Sequence, residues 1–461
     1  MSREIDAMWT VLILAVAVTA HGDVTGWRGN GSGQFDDTPA PLTWSASEGI
    51  AWKTAMPEWA NGCPILVAGR LYVTAEPDRL LCLSATDGSV IWEQANPRSE
   101  ALPAGERAAY AAKSAAYEKL AAKRNELKGK LRGIGKQLSD KPANAAELKA
   151  EKARLKAEKE AIDQKSAPLQ EFARPRTHGV NGYATPTPVS DGTYVYGQFG
   201  DGIVACYTLT GQRKWIRYVA PSKHGWGHSA SPILVADKLI VHIADTVHAL
   251  RVADGQTVWS TQSGSKWGTP MGFRVGDQWA VLTTGGDVLR ASDGRVVARE
   301  IASLPWSSPI AEGNTLYVVD EREAKALRIP DAMADELTFE ALWSMKPERN
   351  RYYATPLFID GLLYAIHRSG TLTVIDATSG DAVYTRKLPL GGTVYPSPFL
   401  AGGNIYVSSD TGKTIVIKPG RTYEELASNS LEGFRSTPIA DAGRVYVRGL
   451  EHLYCIKGVQ P

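Results

Sequence analysis

The chain reads as an all-β, eight-bladed β-propeller, and two features of its 461 residues predict it. A proline opens each of eight comparable segments, and a strand sequence with no segment of its own stands ahead of the first. The prolines are Pro64, Pro188, Pro232, Pro270, Pro309, Pro356, Pro398 and Pro438, at intervals of 124, 44, 38, 39, 47, 42 and 40 residues. Self-similarity at such a period marks a repeat architecture. Only the first interval is long, and an inserted segment accounts for it. Ser or Thr precedes the proline in seven cases and Cys63 in the eighth.

Three more positions keep register with the proline. Eight residues on stand Tyr72, Tyr196, Ile240, Tyr317, Tyr364, Tyr406 and Tyr446. Eighteen residues on stand Cys82, Cys206, Leu250, Val288, Leu327, Val374 and Val416, with Cys455 one place early. About 28 residues on come Trp92, Trp215, Trp259, Ala298 and Tyr384, with Trp343 delayed by a local insertion. Pairs such as Asp87-Gly88, Thr210-Gly211 and Asp254-Gly255 precede the last position and supply the positive φ of tight hairpins. Each unit therefore makes four short strands. Proline lacks an N–H and suits the innermost strand, which is a sheet edge. The tryptophan suits the outermost strand, filling space between neighbouring sheets.

The chain ends predict a closed ring. The last unit stops after its third strand, Leu453-Tyr454-Cys455-Ile456, while Ile50-Ala51-Trp52-Lys53 matches the fourth-strand sequence Val90-Ile91-Trp92-Glu93. One blade built from both ends removes a free sheet edge. The propeller should span residues 48–98 and 183–457.

Residues 100–170 differ in character, being rich in Ala, Lys and Glu with few β-branched residues, which favours helix. Leu120, Leu127, Leu131, Ile134 and Leu138 recur at three-four spacing, and Leu148, Leu155 and Ile162 every seven residues. This pattern predicts a helical hairpin resembling a coiled coil. Gly129, Gly133 and Gly135 should make the end of the first helix irregular. From 106 to 165 there are 16 Lys and Arg against 9 Asp and Glu, a basic arm whose simplest role is a solvated face.

Net charge is only +2, which points to no nucleic-acid partner. The apolar run over residues 8–20 ends in Val18-Thr19-Ala20 and reads as an export signal over residues 1–20, leaving no transmembrane span in the mature chain. Four cysteines do not look like a disulfide framework; Cys82, Cys206 and Cys455 fall on apolar core positions.

Stretches such as Leu83-Ser84-Ala85-Thr86-Asp87-Gly88-Ser89-Val90-Ile91-Trp92 resemble the repeat of quinoprotein (PQQ) propellers and of BamB-like outer-membrane assembly factors. The resemblance implies an exported, monomeric, non-enzymatic scaffold that binds protein partners in the periplasm or cell envelope. As a lesser alternative it raises a dehydrogenase using PQQ and Ca²⁺. In those enzymes the quinone stacks between a tryptophan and a disulfide of adjacent cysteines, beside Ca²⁺ and a catalytic Asp. Here no two cysteines are neighbours, and no Asp or Glu can be matched to the calcium or base positions. No catalytic residue and no cofactor is therefore assigned.

The candidate binding residues lie just upstream of the prolines. Trp267, Trp306, Tyr353, Tyr395 and Arg435 stand three places before, His228 stands four before, and Trp226, Lys266 and Arg351 are nearby. In a propeller these positions ring the mouth of the central channel. Aromatics among cations suit a planar or sugar-like ligand, or a peptide, in a carbohydrate- or peptide-binding propeller. Packing against one another to plug the funnel is the simpler role. His178, His224 and His228 share that face, but their spacing matches no compact metal motif and no metal is assigned.

Overall fold

The computed structural model describes residues 22–35, 38–264 and 266–458, so the expected export signal lies outside the described residues. Eight four-stranded antiparallel sheets form the blades of one propeller. Seven of them follow simple chain order. The eighth joins the two ends of the propeller: Ile50–Ala55 pairs with His452–Ile456, which pairs in turn with Arg444–Arg448 and Ile439–Asp441. Trp52 lies opposite Cys455 and Ala55 opposite His452. The orphan strand is thus the fourth strand of the last blade.

The recurring tryptophan and glycine turn out to be one device. The Trp92 Nε1–H donates to the Leu209 carbonyl in the next blade at 3.1 Å, and Trp215 does the same to Val252 at 2.9 Å. Trp52, Trp259 and Trp343 repeat the bond to Ala85, Ala291 and Ala377. Each indole lies under the next blade's turn glycine. At Gly211, with φ of +89°, a Cβ would sit 2.7 Å from the Trp92 ring. Glycine is needed there twice, for the hairpin and for the neighbour's ring.

The residues preceding the prolines close a second circuit. The backbone N–H of Cys63 donates to Thr187 Oγ1, that of Thr187 to Ser231 Oγ, and that of Ser231 to Thr269 Oγ1. The series continues through Ser308, Thr355, Ser397 and Thr437 at 2.8–3.0 Å. It ends where the Thr437 N–H donates to Cys63 Sγ at 3.1 Å. Each blade therefore satisfies its neighbour's inner backbone donor. Replacing Thr355 by Val leaves the buried Ser308 N–H without an acceptor, at a cost of about 1–3 kcal/mol. Thr355→Val is expected to lower the unfolding free energy from urea titration by that amount while Thr355→Ser holds it; equal values for the two would refute the circuit's contribution.

The insertion forms helix α1 (Ala104–Ser139) and helix α2 (Ala145–Ser166), packed along Leu120, Leu127, Leu131, Ile134, Leu155 and Ile162. The expected irregularity at the glycines is corrected, because α1 runs unbroken through Gly129, Gly133 and Gly135. Packing supplies the reason: the three glycines lie beside the seam residues Leu127, Leu131 and Ile134, whose contacts with α2 outweigh weak propensity. Arg174 fastens the base of the hairpin. Its guanidinium bridges Glu118 of α1 at 3.3 Å to Asp78 at 2.8 Å and Asp201 at 3.2 Å, in the first and second blades. No helix among the described residues is long and apolar enough to cross a membrane.

Candidate functional site

A cavity of about 450 Å³ occupies the mouth of the central channel. Two rings of eight residues build most of it. The lower ring is the hydrogen-bonded circuit from Cys63 to Thr437, all of whose members line the cavity. The upper ring holds the residues three places before each proline, because successive side chains of an extended chain alternate faces. Asn61, Thr185 and Ser229 make its polar arc. Trp267, Trp306, Tyr353 and Tyr395 make its aromatic arc, and Arg435 closes it.

The aromatic arc is a continuous ladder. Trp267 and Trp306 stack at 4.6 Å and 13°, Trp306 meets Tyr353 edge-on at 5.6 Å, and Tyr353 stacks on Tyr395 at 4.8 Å. Arg351 lies over the Trp306 ring at 4.7 Å and donates to the Tyr353 hydroxyl at 3.0 Å. Arg435 donates to the Val180 carbonyl at 3.4 Å. Among the described residues no Asp or Glu lines the cavity, although the Glu321 carboxylate acts on Arg351 from outside the lining.

Seven of the nine residues expected at the mouth meet there: Trp226, Trp267, Trp306, Arg351, Tyr353, Tyr395 and Arg435. His228 and Lys266 do not. Both stand four places before their proline, on the alternate face shared with the buried Tyr352, Val394 and Phe434. His228 is buried, its Nε2 2.8 Å from the Gln198 amide and 2.9 Å from the Ala230 carbonyl oxygen. Burial, with His242 adding to it, pulls its imidazole down to about 4, so it stays neutral. Lys266 is exposed to solvent. His178 and His224 each pack on a tryptophan. His178 stacks on Trp226 at 3.7 Å, and His224 sits edge-on to Trp267 at 4.9 Å.

The sequence reading missed the plug that ends the channel. Residues 22–35 pair with the inner strands, Val24 against Leu66 and Gln34 against Leu400, and Trp27 reaches the cavity. Arg28 is fully buried and donates to the carbonyls of Thr355, Pro356 and Ser32. Burial lowers its guanidinium to about 9, still charged at neutral pH. The only signal in the sequence was the run Gly26-Trp27-Arg28-Gly29-Asn30-Gly31, which has no counterpart in the repeat.

The family model described as outer membrane protein assembly factor BamB matches residues 36–158, 176–329 and 243–457. The chain belongs to the BamB family. No curated protein matches it. Among solved structures, a europium-containing methanol dehydrogenase is 11% identical, covering 94% of this chain and 90% of its own, with a TM-score of 0.59. The quinohemoprotein alcohol dehydrogenase from Comamonas testosteroni is 11% identical over 95% and 81%, with a TM-score of 0.57. BamB from Moraxella catarrhalis is 14% identical over 59% and 86%, at 0.47. At these identities the likeness is one of fold, so the chemistry of this BamB-family chain rests on its own cavity.

Proposed function

We propose that this protein is a non-enzymatic binding propeller of the cell envelope, a scaffold that receives its ligand or partner at the channel mouth. The envelope setting follows the BamB family and the export signal expected at the N-terminus. One observation carries the reading: a dead-ended cavity of about 450 Å³ joins an aromatic ladder to two arginines and lacks any carboxylate among the described lining residues. That volume lies within the range of small-ligand pockets.

The same lining argues against the quinoprotein alternative. Calcium takes six to eight oxygen ligands, several of them usually carboxylate. The cavity offers hydroxyls, asparagine amides and guanidinium groups instead. Cys63, its only cysteine, is buried, accepts the Thr437 N–H, and has its thiol raised by burial above the usual range. The residues present do not fit a calcium-bound quinone. Incubation with PQQ and Ca²⁺ is expected to give neither retained chromophore nor alcohol-dependent dye reduction. Wild-type protein should capture an envelope component that a Trp267→Ala/Trp306→Ala variant, melting at a similar temperature, does not. Quinone uptake with turnover, or undiminished capture by the variant, would overturn the proposal.

A further inference from the structure

We infer that the cavity takes a carboxylate-bearing saccharide, a uronate-type pyranose; this rests on the binding reading above and names its ligand. Three observations converge. The lower ring presents hydroxyls that already accept a backbone N–H and whose own protons have no acceptor among the described residues, as at Ser231, Thr269, Ser308 and Ser397. Such groups suit a ligand bearing several oxygens. Above them the aromatic arc, whose rings stack on one another, turns its edges to the cavity, and Trp306 Nε1 is a buried donor with no partner among the described residues. An apolar wall of ring edges suits the C–H groups of a pyranose, while hydroxyls, amides and the indole N–H suit its oxygens.

The third observation sets the charge. Arg351 and Arg435 line the cavity, no Asp or Glu among the described residues shares that lining, and Arg435 Nε is buried with no partner among the described residues. Guanidinium donors match a carboxylate in geometry and charge. On the polar arc, Asn61 Oδ1 is buried with no partner among the described residues, which leaves an acceptor for one sugar hydroxyl. A peptide ending in a carboxylate would satisfy the arginines but leave most of the hydroxyl ring unused. A neutral sugar would use that ring and leave the arginines unpaired.

Titration calorimetry on the full chain tests this with digalacturonate, its methyl ester, cellobiose and a free-carboxylate tetrapeptide. Digalacturonate is expected to bind about tenfold or more tightly than the ester and cellobiose. Arg435→Gln should erase that preference without changing the melting temperature, and Trp306→Ala should weaken both the acid and its ester. Equal affinity for acid and ester, tighter binding of the peptide, or an unchanged preference in Arg435→Gln would overturn the saccharide assignment. If no saccharide binds while the double-tryptophan variant still loses envelope capture, the ligand class fails and the binding reading stands. If capture is also unchanged, both fail.

Discussion

Replacing Ile50–Ala55 by a Gly-Ser segment of equal length is expected to abolish cooperative folding of the propeller. The strand supplies the fourth row of the last blade and five positions paired with His452–Ile456. It also carries Trp52, whose ring packs 6.1 Å from Tyr446 and whose Nε1–H bonds Ala85 in the first blade. Losing a packed indole alone costs about 3–5 kcal/mol. Opening the ring adds an unpaired sheet edge and frees Thr54 from the Gly88 carbonyl. Together these losses rival the whole stability of a domain, about 5–15 kcal/mol.

The comparison is with a chain in which residues 100–170 are replaced by a short glycine linker. That deletion removes helices whose core contacts are mainly with each other, so the propeller should keep a single cooperative transition. The readout is a urea titration followed by tryptophan fluorescence, which reports on the inter-blade indoles Trp52, Trp92, Trp215, Trp259 and Trp343. A sharp transition in the Gly-Ser variant, or none in the hairpin deletion, would contradict the closure account.

Closure was readable in the sequence because its evidence is local: one fourth-strand motif at Trp52 without a unit, and one unit ending at Ile456 without a fourth strand. The aromatic arc was readable for the same reason, since Trp267, Trp306, Tyr353 and Tyr395 keep a fixed offset from their prolines. His228 and Lys266 failed by one residue, and one residue reverses the face of an extended chain. The polar arc escaped notice because Asn61, Thr185 and Ser229 look ordinary for loops. The recurrence of Ser or Thr before proline was visible, but its purpose was not. Each hydroxyl serves an N–H of the neighbouring blade, 38–47 residues away in six cases and 124 at Thr187, and that partnership exists only in the folded ring. The plug carries no repeat signal, so only the folded channel reveals what covers its end.

Arg174→Met is expected to destabilise the protein by about 3–5 kcal/mol near neutral pH, because it strands Asp78 and Asp201 buried without their cation. The pH dependence separates this from a simple packing loss. Burial raises the Asp201 carboxyl to about 6 even though Arg174 pulls it down, and burial raises Glu76 to about 7 against the N–H bonds from Ala184 and Tyr183. Both folded values exceed the ordinary carboxylate range. Their stabilising contribution is therefore complete below that range and is lost as pH rises through about 6 to 7. These two groups should make the wild-type protein melt higher at pH 5 than at pH 8. Without Arg174 the Asp201 carboxyl rises further, so the variant's deficit should be largest at pH 8 and shrink at pH 5. Adding Asp201→Asn should recover part of the loss at pH 8, since the uncompensated charge is gone. Melting curves for the three proteins at both pH values decide it, and a deficit independent of pH would reject the ionic role. The clamp also bears on ligand binding. Glu76 holds the N–H groups of Tyr183 and Ala184 at 2.6 and 2.5 Å, and the loop from Arg174 to Thr185 carries Val180 and Asn181 into the cavity wall. Loosening the hairpin base should thus weaken the polar arc before it disturbs the aromatic one.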